Sequence, residues 1–197
     1  MTPSPDPQTN SAQAHRLTQA PALAAFANPA RARILDALAV DGPSTASQLA
    51  HRVGMAVGSA SHHLKVLADA GLVEEAPGVT EDRRQRHWRL AHAHTRWSRT
   101  EMSDAAARTA AYEAELVGLQ RQFDRARHAV LATEGDHETD TGAFAIQQWL
   151  TLSTAELHAL SAEIAALLHR WKYREVADDG VDRDTVFVFA RGFPAQP

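Results

Sequence analysis

Apolar residues recur at helical spacing through the first half of the chain. Ile34, Leu35 and Leu38 form one face of a segment that runs to Val40, because residues three and four apart share a side of an α-helix. Asn28-Pro29 opens it with a capping residue and a proline at the first helical position, and Asp41-Gly42-Pro43 closes it. Thr45 and Gln48 have capping-box spacing at the head of a second helix, which carries Leu49 and Val53 and stops at Gly54. After a short turn, Val57 to Ala70 predicts a third helix with Ala60, Leu64 and Leu67 on one face, and Gly71 stands where a left-handed cap is expected. Two short helices joined by a tight glycine-containing turn make a helix-turn-helix.

The period then changes. Leu72-Val73-Glu74 predicts a short strand, Ala76 to Asp82 a turn, and Arg84 to Leu90 a return strand with Arg84, Arg86, Trp88 and Leu90 on one face. A hairpin directly after a helix-turn-helix is expected to be a wing whose arginines follow a phosphate backbone; a solvated edge hairpin is the plainer alternative. Beyond Thr95 the spacing returns to a helix, and Met102, Ala105, Thr109, Tyr112, Leu116, Leu119, Phe123, Ala126 and Val130 alternate steps of three and four. Such a seam suits lengthwise packing against another helix, most economically the same helix of a second copy, although an intrachain partner would satisfy one side as well. After the polar run Glu134 to Asp140, Phe144 to Leu152 looks strand-like. Ser153 and Glu156 form a second capping box before a stripe of Leu157, Leu160, Ile164, Leu167, Leu168 and Trp171, and Asp184 to Phe193 alternates like a strand.

The expected fold is therefore mainly α with small β: a disordered tail (1–14), a winged helix-turn-helix domain (15–93), a long dimerisation helix (94–134) and a small C-terminal β-α-β subdomain (141–197). The tail is rich in Pro, Ser and Gln and lacks the charged and apolar regions of a signal peptide. No apolar run approaches the roughly 18 residues of a membrane span. The absence of cysteine excludes disulfides, thiolate metal sites and cysteine nucleophiles, and suits a reducing cytoplasm.

A net charge of -4 argues against nucleic acid until it is divided by region. From His15 to Arg99 there are 11 Arg/Lys against 7 acids, a balance of +4; from Thr100 onward there are 9 against 16, a balance of -7. The basic half is the one that holds the helix-turn-helix. On the Val57 to Ala70 helix, Gly58, Ser59, Ser61, His62 and Lys65 lie opposite the apolar anchor with no acid among them, and Asp69 lies on the same face nearer the C-terminus, where such a helix leaves a groove. Ser59, Ser61 and His62 can reach base edges in a major groove, while Lys65 can neutralise a phosphate.

The string SASHHLKVLADAGLV, Ser59 to Val73, resembles the recognition helix of ArsR-type winged-helix repressors, and the likeness runs from about Leu23 to Leu90, little more than a third of the chain. The resemblance implies a winged-helix homodimer bound to a partly palindromic operator in double-stranded DNA, with repression relieved by an effector, often a metal. It implies base contacts for Ser59, Ser61 and His62, and backbone contacts for Lys65 and the wing residues Arg83, Arg84 and Arg86. It also implies dimerisation, for which Met102, Ala105, Tyr112, Leu116, Leu119 and Phe123 are the candidates from the seam. The chain departs from the thiophilic-metal sensors of that family, since Ser47, Gln48 and His51 stand on the first helix of the motif without any cysteine. A protein-protein interaction module built on the same hairpin is the alternative, disfavoured by the acid-free face and the charge partition.

Eleven histidines invite a metal hypothesis. His62 and His63 diverge by about 100° on a helix and cannot chelate together. His92 and His94 sit in a linker, His137 lies in an acidic loop, and His158 and His169 are three turns apart, so no metal and no cofactor is expected. Trp149, Trp171, Phe187 and Phe189 are either the core of the C-terminal subdomain or the lining of a small-molecule effector pocket. Nucleophile elbows, phosphate loops, HExxH and dinucleotide glycine patterns are absent, so no enzyme is expected.

Overall fold

The structure is a computed structural model that describes residues 15–77, 86–92, 95–97, 102, 104–132 and 142–196. The elements are β1 (His15–Arg16), α1 (Ala20–Phe26), α2 (Pro29–Asp41), β2 (Ser44–Thr45), α3 (Ala46–Val53), α4 (Val57–Asp69), β3 (Val73–Glu75), β4 (His87–Leu90), β5 (Thr95–Arg96), α5 (Ala105–Ala132) and α6 (Thr154–Lys172). The chain divides into two compact units, one ending at His128 and the other beginning at Ala129.

Local chemistry sets the helix ends of the first unit. The Asn28 side chain accepts a hydrogen bond from the Arg31 amide at 3.1 Å, and Pro29 follows as a residue with no amide to satisfy. The capping box forms reciprocally: the Gln48 amide donates to Thr45 Oγ1 at 3.2 Å and the Thr45 amide to Gln48 Oε1 at 2.8 Å. Gly54 closes α3 in the left-handed region (φ 64°), where a side chain would be strained.

Packing then joins the helices. Leu23 of α1, Ile34 of α2, Leu49 of α3, and Leu64 and Leu67 of α4 are the largest fully buried side chains, so the core lies where these four helices meet. The Arg31 guanidinium donates to the Ala24 and Ala25 carbonyls, both at 2.9 Å, and so satisfies free carbonyls near the end of α1. Arg33 donates in the same way to the Val53 carbonyl at the end of α3. The wing sheet has the order β2-β4-β3 and is antiparallel throughout, with Ser44 opposite Trp88 and Val73 opposite Leu90. Trp88 and Leu90 pack from it onto the core.

Three differences from expectation have physical causes. The long helix begins at Ala105 rather than near Thr95, since Thr95–Arg96 pairs in parallel with His15–Arg16, and the Asp104 carboxylate then caps α5 by accepting from the Ala107 amide at 2.8 Å. Met102 precedes that helix and is 6% exposed within the core of its own unit, so it does not belong to the seam. In the second unit α6 forms behind its expected capping box, with the Glu156 amide donating to Ser153 Oγ at 3.3 Å. Neither Phe144 to Leu152 nor Asp184 to Phe193 is a strand, so the described residues there hold no β-α-β sheet. Alternation prepares a segment for a sheet, but a strand exists only with a hydrogen-bonded neighbour.

Candidate nucleic-acid interface

The α3-turn-α4 pair positions the candidate reading surface. Ala60, Leu64 and Leu67 are each fully buried and fasten α4 to α1, α2 and α3. On the opposite side, Ser59, Ser61, His62 and Lys65 are all exposed. The structure thus brings these four side chains onto one solvent-facing surface of α4, as the spacing predicts. His63, between the two faces, is half-buried, and its Nδ1 is buried without a hydrogen-bond partner. Burial, then the nearby Arg31 and His62 charges, lower the His63 pKa, so its imidazole is neutral at physiological pH.

Of the expected wing cations, Arg86 is exposed and pairs with Glu75 at 3.2 Å; Arg83 and Arg84 lie outside the described residues. Across the sheet Arg89 bonds Glu74 at 2.6 Å, as their opposed register requires. Both wing arginines therefore hold exposed carboxylate partners, which anionic oxygens could replace at small cost because exposed ion pairs contribute little.

The long helix α5 has two unlike faces. Ala107, Ala110, Ala111 and Ala114 are buried, the first three within the winged-helix core. Farther along, Arg121 and Arg125 both donate to the Asp36 carboxylate on α2, and Arg121 also reaches the Ala32 carbonyl at 3.1 Å. Burial first, then Arg125 and Arg33, lower the Arg121 pKa to about 10, leaving it charged at neutral pH. These contacts join residues more than 80 positions apart and carry no sequence signal. The other face bears Ala105, Tyr112, Leu116, Leu119 and Phe123, all exposed, with Phe123 at 62%.

The four aromatic residues proposed for an effector pocket are not enclosed. Phe187 and Phe189 lie with ring centroids 5.8 Å apart, and the Arg174 guanidinium sits 4.9 Å from the Trp171 ring, but all four, Trp149 included, are at least 42% exposed. Among the described residues, no group of three or more His, Asp or Glu side chains is placed to hold a metal ion, and no helix is long and apolar enough to cross a membrane.

Residues 26–76 match the family model of a helix-turn-helix domain. Together with the β2-β4-β3 sheet they make a winged helix-turn-helix. Among solved structures, the chain is similar to a homodimeric winged helix-turn-helix DNA-binding domain from Mycobacterium bovis, described as a possible ArsR-family transcriptional regulator. The identity is 24%, over 61% of this chain and 84% of that one, with a TM-score of 0.33. It is also similar to a MarR family regulator from Neisseria meningitidis, at 22% identity over 76% of this chain and 77% of that one, with a TM-score of 0.31. Comparison with curated proteins gives no match.

Proposed function

We propose that the protein is a cytoplasmic, homodimeric repressor that binds a partly palindromic operator and catalyses no reaction. The observation that carries this reading is the exposed N-terminal part of the α4 face, with Ser59, Ser61, His62 and Lys65 and no acid before Asp69, held opposite a fully buried Ala60-Leu64-Leu67 anchor. Ser59, Ser61 and His62 read base edges in the major groove, Lys65 meets a phosphate, and Arg86 with Arg83 and Arg84 of the wing follows the backbone. The exposed α5 seam of Ala105, Tyr112, Leu116, Leu119 and Phe123 pairs two copies, which sets their recognition helices roughly 34 Å apart in successive grooves. Bound there, the dimer blocks transcription.

Footprinting on the DNA upstream of its own coding region tests the reading. A salt-sensitive, partly palindromic protected site is expected, and no protection under any effector condition overturns it. Lys65→Ala should weaken binding to all sequences alike and lower the salt slope by about 1, whereas Ser61→Ala or His62→Ala should change the ranking of sites. Unaltered site preference in both of the latter would remove α4 from the groove.

A further inference from the structure

We infer that Glu74 and Glu75 occupy, in the free protein, the places that DNA phosphates take at the wing, and that Arg89 joins the residues that contact the backbone. The inference rests on the operator reading above and adds to it one contact residue and two carboxylates that compete with DNA. Arg86 and Arg89 each hold an anion of their own chain. Arg89 donates from Nε to Glu74 Oε1 at 2.8 Å, and a terminal guanidinium nitrogen lies 2.6 Å from the same oxygen. Arg86 pairs with Glu75 at 3.2 Å. The Arg89 distances are those of charge-assisted bonds, which a guanidinium forms with carboxylate and phosphate oxygens alike.

The sheet builds this arrangement. Across β3 and β4, Val73 lies opposite Leu90, Glu74 opposite Arg89 and Glu75 opposite Trp88. Successive side chains of a strand point to opposite sides, and Trp88 and Leu90 pack onto the core, so Arg89 and Glu74 stand on the outer side of the sheet. Arg86, two residues before Trp88, reaches Glu75 diagonally. Two hydrogen-bonded strands thus fix where the anion sits relative to each guanidinium.

Exposure makes the pairs exchangeable. All four side chains are open to water, from 48% for Glu74 to 72% for Arg86. Water screens such pairs, so opening one costs little. A phosphate that takes the place of the carboxylate restores the bond and releases counterions besides. The replacing anion belongs to the duplex that α4 reads, since β3 begins at Val73, directly after α4 ends at Asp69. Each exchange leaves a carboxylate beside the DNA backbone, where it repels phosphates. Glu74 and Glu75 therefore weaken the binding that Arg89 and Arg86 provide.

The test measures binding of the full chain, at several salt concentrations, to a duplex from upstream of its own coding region and to a duplex of unrelated sequence. Glu74→Gln and Glu75→Gln keep the shape of the side chain and remove its charge. Each should tighten binding to both duplexes by about two- to five-fold, with a smaller gain at high salt. Arg89→Gln should weaken binding to both and lower the salt slope by about 1. The two effects should not add. Arg89→Gln should cost about two- to five-fold more in the Glu74→Gln background than in the parent, because with Glu74 present Arg89 gives up an ion pair on binding. Additive effects would overturn the exchange, since a carboxylate that merely sits in the field of the DNA acts independently of Arg89. Glutamine variants with unchanged affinity would overturn it too, and Arg89→Gln with the affinity and salt slope of the parent would remove Arg89 from the backbone. In each of these cases the parent still binds its operator, and the operator reading stands. A parent that binds neither duplex overturns both.

Discussion

The two units of this chain are built from similar devices and end in opposite states. Each has a helix opened by a reciprocal capping box, Thr45 with Gln48 in the first and Ser153 with Glu156 in the second. Each has an apolar stripe at helical spacing. In the first unit the stripes of four helices converge and bury Leu23, Ile34, Leu49, Leu64 and Leu67 completely; in the second, the stripe of α6 buries nothing fully. Helix formation is thus local, whereas a core needs several elements whose faces meet. The first unit is self-sufficient on this criterion and the second is not.

Truncating one leucine in each unit gives the largest contrast. Leu64→Ala should cost about 2–5 kcal/mol in denaturant unfolding of the winged-helix unit, since it empties a site with no solvent access. Leu150→Ala, at a residue already 60% exposed, should stay within about 0.5 kcal/mol for the monomer. Equal losses would mean that the second unit has a core of its own.

The clasp between α5 and α2 comes next. Asp36→Asn removes the charge that Arg121 and Arg125 share, and should lower stability by about 1 kcal/mol. It should also loosen the middle of α5, seen as faster amide exchange around Arg121, while the first turns stay held by Ala107, Ala110 and Ala111. Unchanged exchange there would show that the alanine face alone fixes the helix.

The caps should differ in reach more than in size. Thr45→Ala should cost about 1 kcal/mol in global unfolding, because α3 belongs to the buried core. Ser153→Ala removes the same bonds, yet it should leave the melting of the first unit unchanged and speed exchange only in the opening turns of α6. A shift of both transitions by Ser153→Ala would show that the units unfold together.

The smallest effect is a pH dependence. His63 has its pKa lowered in the folded protein, so the unfolded chain binds the proton more readily. Protonation therefore favours unfolding: stability is complete above the ordinary histidine pKa of about 6.5 and falls as the pH drops below it. His63→Gln should flatten the decline between about pH 6.5 and 5 in thermal melts. His92, whose pKa is also lowered by burial and by His15, adds a slope of the same sign.

Much of the first unit was legible because its signals are local. Asn28-Pro29, the Thr45 box, Gly54 and Gly71 act within a few residues, and the spacing of Ala60, Leu64 and Leu67 already separates an anchored face of α4 from a free one. The exposed apolar side of α5 was legible from Ala105 to Phe123 for the same reason, but the place of Met102 was not. Met102 fits the spacing and lies before the helix starts, where packing draws it into the winged-helix core. The strands expected on either side of α6 failed for the converse reason, since alternation records a preference and cannot provide the neighbouring strand.

By itself, the sequence determined the helix-turn-helix, its capping residues, the solvent-facing Ser59, Ser61, His62 and Lys65 of α4 and the exposed apolar side of the long helix. All of these follow from spacings within one or two turns of backbone. Tertiary structure alone decided that Arg31 and Arg33 serve carbonyls at the ends of α1 and α3, and that Asp36 clasps Arg121 and Arg125 across more than 80 residues. It also decided that Thr95–Arg96 pairs with His15–Arg16, and that none of the described residues from 142 to 196 is buried. These outcomes depend on which distant surfaces meet, and the period of a sequence holds no record of that.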